Sequence, residues 1–165
     1  MNRTRPERYV HLAQHIATWS KDPSRRVGCV IIGPDNEIRS AGYNGLPRGV
    51  DDATPRYTER PEKYLWVEHA ERNAIYNAAR MGLSLAGCRL YTTWTVCADC
   101  ARAIIQAGII SVDIGLGPND ATPLTPAGRH GYWARSMEVA SFMLDESKVA
   151  VTITLMPNPF DDHTR

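Results

Sequence analysis

No apolar run in this chain approaches the roughly 20 residues needed to span a bilayer. The start, MNRTRPERY, is basic, but no apolar export core follows it. A cytoplasmic protein with no membrane partner is the expectation. Charge of one sign is also lacking: 19 Lys and Arg face 18 Asp and Glu, a formal net charge of +1. Coating a nucleic acid takes a local excess of cations, so no large nucleic acid is expected as a partner. A nucleotide needs only one or two cations and stays open. Cysteine is scarce, at Cys29, Cys88, Cys97 and Cys100. Disulfide frameworks belong mainly to small exported chains. There is no internal repeat and no low-complexity tract.

What is present suits one globular domain over 1–165. Hydrophobic residues make up 43% of the chain and charged residues 22%. Pro6 can open a helix whose apolar face carries Tyr9, Leu12, Ala13, Ile16 and Ala17. GCVIIG and IRSAGYN read as a hairpin across the turn PDNE. Residues 44–63 are rich in Gly, Pro, Asp and Arg, a long connection of the kind that carries function or motion. Helical spacing returns from 69 to about 81, stopped by Gly82. CRLYTT is a strand, 98–107 a helix closed by Gly108, ISVDIG a strand, 132–144 a helix and VAVTITL the last strand. GPNDATPLTPAGRHG is a loop without pattern, and MPNPFDDHTR a tail in which Phe160 can dock. The order αββαβαβαβ predicts an α/β fold, with a sheet covered on both faces.

Two stretches carry chemistry. TTWTVCADC places Cys97 and Cys100 three apart at a helix start, and VEHAERNAI places His69 two residues before Glu71. A redox pair would follow the first strand of its fold, and this pair comes late. A four-cysteine zinc site needs a second close pair, which Cys29 and Cys88 do not form; they read as core fillers. Helix starts favour thiolates, and helices that follow parallel strands begin on one sheet edge. His69, Cys97 and Cys100 can therefore meet as zinc ligands with a fourth position open for water. Glu71 is then the base for that water, protonating first the ring nitrogen and later the departing amine. The same donor set and glutamate, with a His-x-Glu and a Pro-Cys-x-x-Cys signature, serve nucleobase deaminases.

The chain resembles the deoxycytidylate (dCMP) deaminases of the zinc cytidine/deoxycytidylate deaminase superfamily. The resemblance lies in SKDPSRRVGCVIIGPDNEIRSAGYNGLPRG, WVEHAERNAIYNAA and LYTTWTVCADCARAIIQAGI. It implies a three-layer α-β-α fold around a mixed five-stranded sheet. It implies Zn2+ on His69, Cys97 and Cys100, Glu71 as catalytic proton shuttle, hydrolysis of dCMP to dUMP, homo-oligomers, and regulation by dCTP and dTTP. One departure is Val96, where the family has proline; Cys97 can still be placed.

Other positions have two readings each. Asn44 is a turn former or, by the resemblance, a contact to sugar or base. Arg25 and Arg26 can hold a 5′-phosphate or stand as solvated charges, with Lys21 a weaker candidate. Thr93, Trp94 and Thr95 line the approach to zinc, and the Ala70 N–H can read the base edge. Tyr132 and Trp133 cover the pocket or pack the third helix. Tyr64 and Trp66 seat a loop. Arg48, Arg56 and Arg60 serve an effector, an interface or solvent. His11 and His15 share a helix face without cysteines near them. The rival functions are deamination of another cytosine compound, a tRNA adenosine deaminase, and a non-catalytic zinc protein that binds nucleotides.

Overall fold

The computed structural model describes residues 5–53, 55–117 and 133–156. Its sheet has five strands in the order β2-β1-β3-β4-β5. They are β1 (Gly28–Ile32), β2 (Ile38–Tyr43), β3 (Arg89–Thr92), β4 (Ser111–Leu116) and β5 (Ala150–Leu155). β1 runs antiparallel to both β2 and β3, whereas β3, β4 and β5 are mutually parallel. All strands except β1 therefore point the same way, and their C-terminal ends share one edge.

The helices are α1 (Arg5–Ala17), α2 (Pro55–Thr58), α3 (Lys63–Trp66), α4 (Ala70–Arg80), α5 (Ala98–Gln106) and α6 (Ala134–Glu146). The sequence reading missed α2 and α3. Each is a single turn, too short to show helical periodicity. The predicted loop after β4 from residue 118 on, Tyr132, and the tail from residue 157 on with Phe160 lie outside the described residues. Met156, read as the start of that tail, is instead buried in the core with Val10, Ala13 and Ile16.

β1 is buried along its whole length because helices cover it on both sides. Val30 and Ile32 face α1, packing with Val10, Ala13 and Ile16. Cys29 and Ile31, on alternate positions, face the opposite core with α4, α5 and α6. Cys29 and Cys88 are fully buried, as core fillers should be. On α4 the buried positions Ala70, Ala74 and Ala78 form a small-residue stripe. That stripe lets the helix lie against β2 so closely that a Cβ on Gly42 would sit 2.4 Å from Ala74 N. This close seat fixes where α4 begins, and its first residues carry the chemistry. Among the described residues, no helix is long and apolar enough to cross a membrane.

Candidate metal centre and active site

α4 follows β2 through the 44–69 connection, and α5 follows β3 directly. Both helices therefore start at the shared C-terminal edge. His69 is the N-cap of α4 and Cys97 the N-cap of α5, each with extended backbone. Helix caps favour Ser, Thr, Asp or Asn, whose side chains bond the free amides. Here neither side chain makes a capping bond. They turn toward each other instead. Cys97 Sγ lies 3.4 Å from His69 Nδ1, and Cys100 Sγ lies 3.5 Å from the same atom. Tetrahedral zinc with ordinary Zn–S and Zn–N bonds separates such atoms by about 3.6 Å.

The ligand atoms of His69, Cys97 and Cys100 all lie within 4.8 Å of one another. The protonation pattern is compatible with a cation. Cys97 falls to about 4, first because Cys100 hydrogen-bonds to it and then because His69 stands beside it, against the effect of burial. Cys100 is raised in turn, by its bond to Cys97 and by burial. Two thiols this close share one proton, and a divalent cation in its place lets both ionise. The donor set thus fits a metal.

Glu71 stands beside the trio and is only 3% exposed. Its Oε1 accepts a hydrogen bond from Thr92 Oγ1 at 2.8 Å, and its Oε2 is 3.6 Å from Cys100 Sγ. Burial raises its proton affinity, partly offset by His69. A carboxylate held at one oxygen and placed beside a metal is suited to carrying a proton. The sequence reading missed Thr92. Its contact spans 21 residues, and a strand-end threonine gives no sign of it.

The rim is built from loops. The Arg25 guanidinium lies 3.5 Å from the centre of the Trp94 ring. Arg26 is exposed. Thr95 is half-buried, and Ala70 is buried as the first residue of α4. Trp133 sits edge-on to His69, ring centres 5.4 Å apart, and Tyr64 packs on Trp133 at 5.3 Å. Val96 is 3% exposed and joins the main core, so the residue in proline's place is held by packing. Thr93 extends the β3 pairing: its Oγ1 accepts from Gly28 N. Lys21 pairs with Asp52 at the surface.

Asn44 has an internal task. Its Oδ1 accepts from Val27 N at 2.7 Å, and its Nδ2 donates to Asp22 Oδ2 and to the Arg25 carbonyl. What remains for a substrate hydroxyl is the second lone pair of Oδ1. In the long connection, Arg48 bonds Asn77, Arg56 bonds the Asp51 carbonyl and lies over Trp66, and Arg60 bonds Tyr64.

A family model of the cytidine and deoxycytidylate deaminase zinc-binding region matches residues 3–116. The chain belongs to this family. Zinc is therefore its metal, and the trio offers it two sulfurs and one nitrogen. An uncharacterized deaminase in the luxG 3′ region of Aliivibrio fischeri is 38% identical over 146 residues, covering 88% of this chain and 90% of that protein. Mouse deoxycytidylate deaminase is 40% identical over 112 residues, covering 65% of this chain and 62% of its own length. The match thus spans less than two thirds of that relative. The dCMP deaminase of cyanophage S-TIM5, solved with dCMP and dUMP, has a TM-score of 0.71 at 24% identity, covering 93% of this chain and 99% of that one. That likeness is one of fold, and the mixed five-stranded sheet between helices matches the expectation from sequence.

Proposed function

We propose that the protein is a zinc-dependent dCMP deaminase, converting dCMP and water to dUMP and ammonia. The observation that carries this reading is Glu71, buried and pinned by Thr92 beside a trio that supplies three metal ligands. A purely structural zinc site closes its fourth position with protein and has no use for such a base.

His69, Cys97 and Cys100 are the residues that hold zinc. Zinc bound there supplies Lewis-acid activation of a water near neutral pH. Glu71 accepts a proton from the attacking water and delivers it to N3 of the cytosine ring. A C4–O bond forms as water adds at C4; Glu71 then takes the second proton from the C4 hydroxyl and passes it to the amine, and the C4–N bond breaks as the C4 carbonyl forms. The Thr92 bond holds Oε1 and leaves Oε2 for the proton. Burial helps Glu71 hold each proton between accepting and delivering it.

In this reading the Ala70 N–H and Thr95 read the base. Trp133, packed on His69, covers the base in this reading. Asn44 offers its remaining lone pair to the sugar. In the same reading Arg25 and Arg26 contact the phosphate. Support for the monophosphate comes from the deoxycytidylate deaminase relatives and from the arginine stacked at the rim. A homo-oligomer belongs to the same reading, supported by the exposed apolar residues Phe142, Val151, Ile153 and Leu155. Regulation by dCTP and dTTP rests on the family resemblance.

The test is ammonia release by the zinc-loaded protein on dCMP, CMP, dCTP, deoxycytidine and cytosine, each with and without dCTP or dTTP. Selective turnover of dCMP is expected. Turnover of another cytosine compound with silence on dCMP would move the error to the phosphate end of the pocket.

A further inference from the structure

The ion pair between Lys63 and Asp22 takes no part in the chemistry above. It is nevertheless the most enclosed pair of opposite charges among the described residues, with side chains 8% and 2% exposed and Lys63 Nζ 2.7 Å from Asp22 Oδ1. Burying such a pair is costly and adds little net stability. The geometry it enforces is therefore its main product.

Asp22 Oδ1 also accepts from Ser24 N at 2.8 Å and Arg25 N at 3.1 Å. Its Oδ2 accepts from Asn44 Nδ2 at 3.1 Å. Asn44 closes the other end, donating to the Arg25 carbonyl and accepting from Val27 N. Two buried side chains thus hold the backbone around Arg25 from both sides. On that backbone rides the guanidinium that stacks on Trp94, in the loop leading to Cys97. Lys63 is the first residue of α3. The next residue there, Tyr64, packs on Trp133, and Trp133 packs on His69. The connection is further tied by Gly45 and Glu68, which exchange backbone hydrogen bonds at 3.0 and 2.9 Å just before His69.

We infer that Lys63 and Asp22 are positioning residues for substrate recognition: the pair sets the backbone of 22–27 so that Arg25, held over Trp94, meets the 5′-phosphate of the nucleotide. This rests on the dCMP reading above and adds to it the part of the long connection that selects a phosphorylated substrate. Arg25 supplies the contact, and Lys63 acts only through Asp22.

The experiment is steady-state kinetics on dCMP, with zinc content measured, for the wild type, Lys63→Met, Lys63→Arg, Arg25→Gln and the double variant Lys63→Met/Arg25→Gln. Lys63→Met and Arg25→Gln should each raise KM on the order of tenfold or more, the scale of one lost hydrogen bond to a charged group. kcat and zinc content should stay near wild type, the signature of lost uniform binding. Lys63→Arg should restore most of the affinity. The double variant should be no worse than Arg25→Gln alone, because both changes act on one contact. Additive losses, or a Lys63→Met protein that loses kcat and zinc while keeping its KM, would overturn the inference. Lys63→Gln keeps a donor without the charge and serves where Lys63→Met does not fold; a wild-type KM for it would overturn the inference too. Wild-type protein that fails to turn over dCMP removes the function reading and this inference with it. Wild-type turnover with additive losses removes the inference alone.

Discussion

His69, Cys97 and Cys100 reach the metal centre from the caps and first turn of two helices that are seated on the sheet. Segment 20–27 at the rim has no helix or strand, and side chains bonded to its backbone hold it. The first region inherits its precision from the core, since Ala70, Ala74, Cys97 and Cys100 are themselves core residues. The second depends on a few buried polar groups, chiefly Asp22, Asn44 and Lys63. The difference teaches which residues can change function without unfolding the protein. At the centre, the ligands can be altered while the helices stay seated. At the rim, the residues that shape the site are also the ones that satisfy its backbone.

The comparison breaks most sharply at the ligands. Cys97→Ala or Cys100→Ala removes one donor of three, and the expected outcome is loss of bound zinc together with loss of ammonia release. Elemental analysis beside a turnover assay checks this, and stripping the wild type with a chelator should reproduce it reversibly. The next effect belongs to the rim. Asn44→Ala leaves Val27 N without its acceptor and the Arg25 carbonyl without its donor. It should cost about 2–4 kcal/mol of unfolding free energy, read from urea titration, as unsatisfied buried groups do.

Thr92→Val sharpens the contrast from the other side. It removes the bond to Glu71 Oε1 but preserves shape. kcat should fall on the order of tenfold, the worth of a hydrogen bond to a charged group, with KM and zinc content held. The smallest effect is expected on the outer face of α5. Arg102 is exposed and pairs with Asp99, three residues away. Arg102→Ala should leave stability within about 0.5 kcal/mol and turnover unchanged.

The same contrast explains what could be read from sequence. The metal centre was legible because its residues are local: His69 and Glu71 are two apart, Cys97 and Cys100 three apart, each set at a helix start. The sheet was legible because hairpin and strand–helix alternation leave periodic patterns. Lys63 was not legible. It lies in a Pro- and charge-rich stretch that reads as a solvated loop, and its partner is 41 residues away. Ser136, whose Oγ accepts from Ala98 N at the start of α5, is 38 residues from that contact. Asn44 was singled out for its position after β2, yet its hydrogen bonds run to segment 22–27, which no local pattern announces. Long-range polar contacts have no period, so only the folded chain displays them.

The central claim is that Glu71 moves the protons while the trio holds the metal. The most direct measurement is dCMP turnover by Glu71→Gln at full zinc occupancy, with zinc content measured on the same sample. The account predicts unchanged zinc binding and a kcat lower by about 10²–10⁴-fold, the usual contribution of general acid–base catalysis. Turnover within a few-fold of wild type at full zinc would contradict it, and would place the proton transfer on another group.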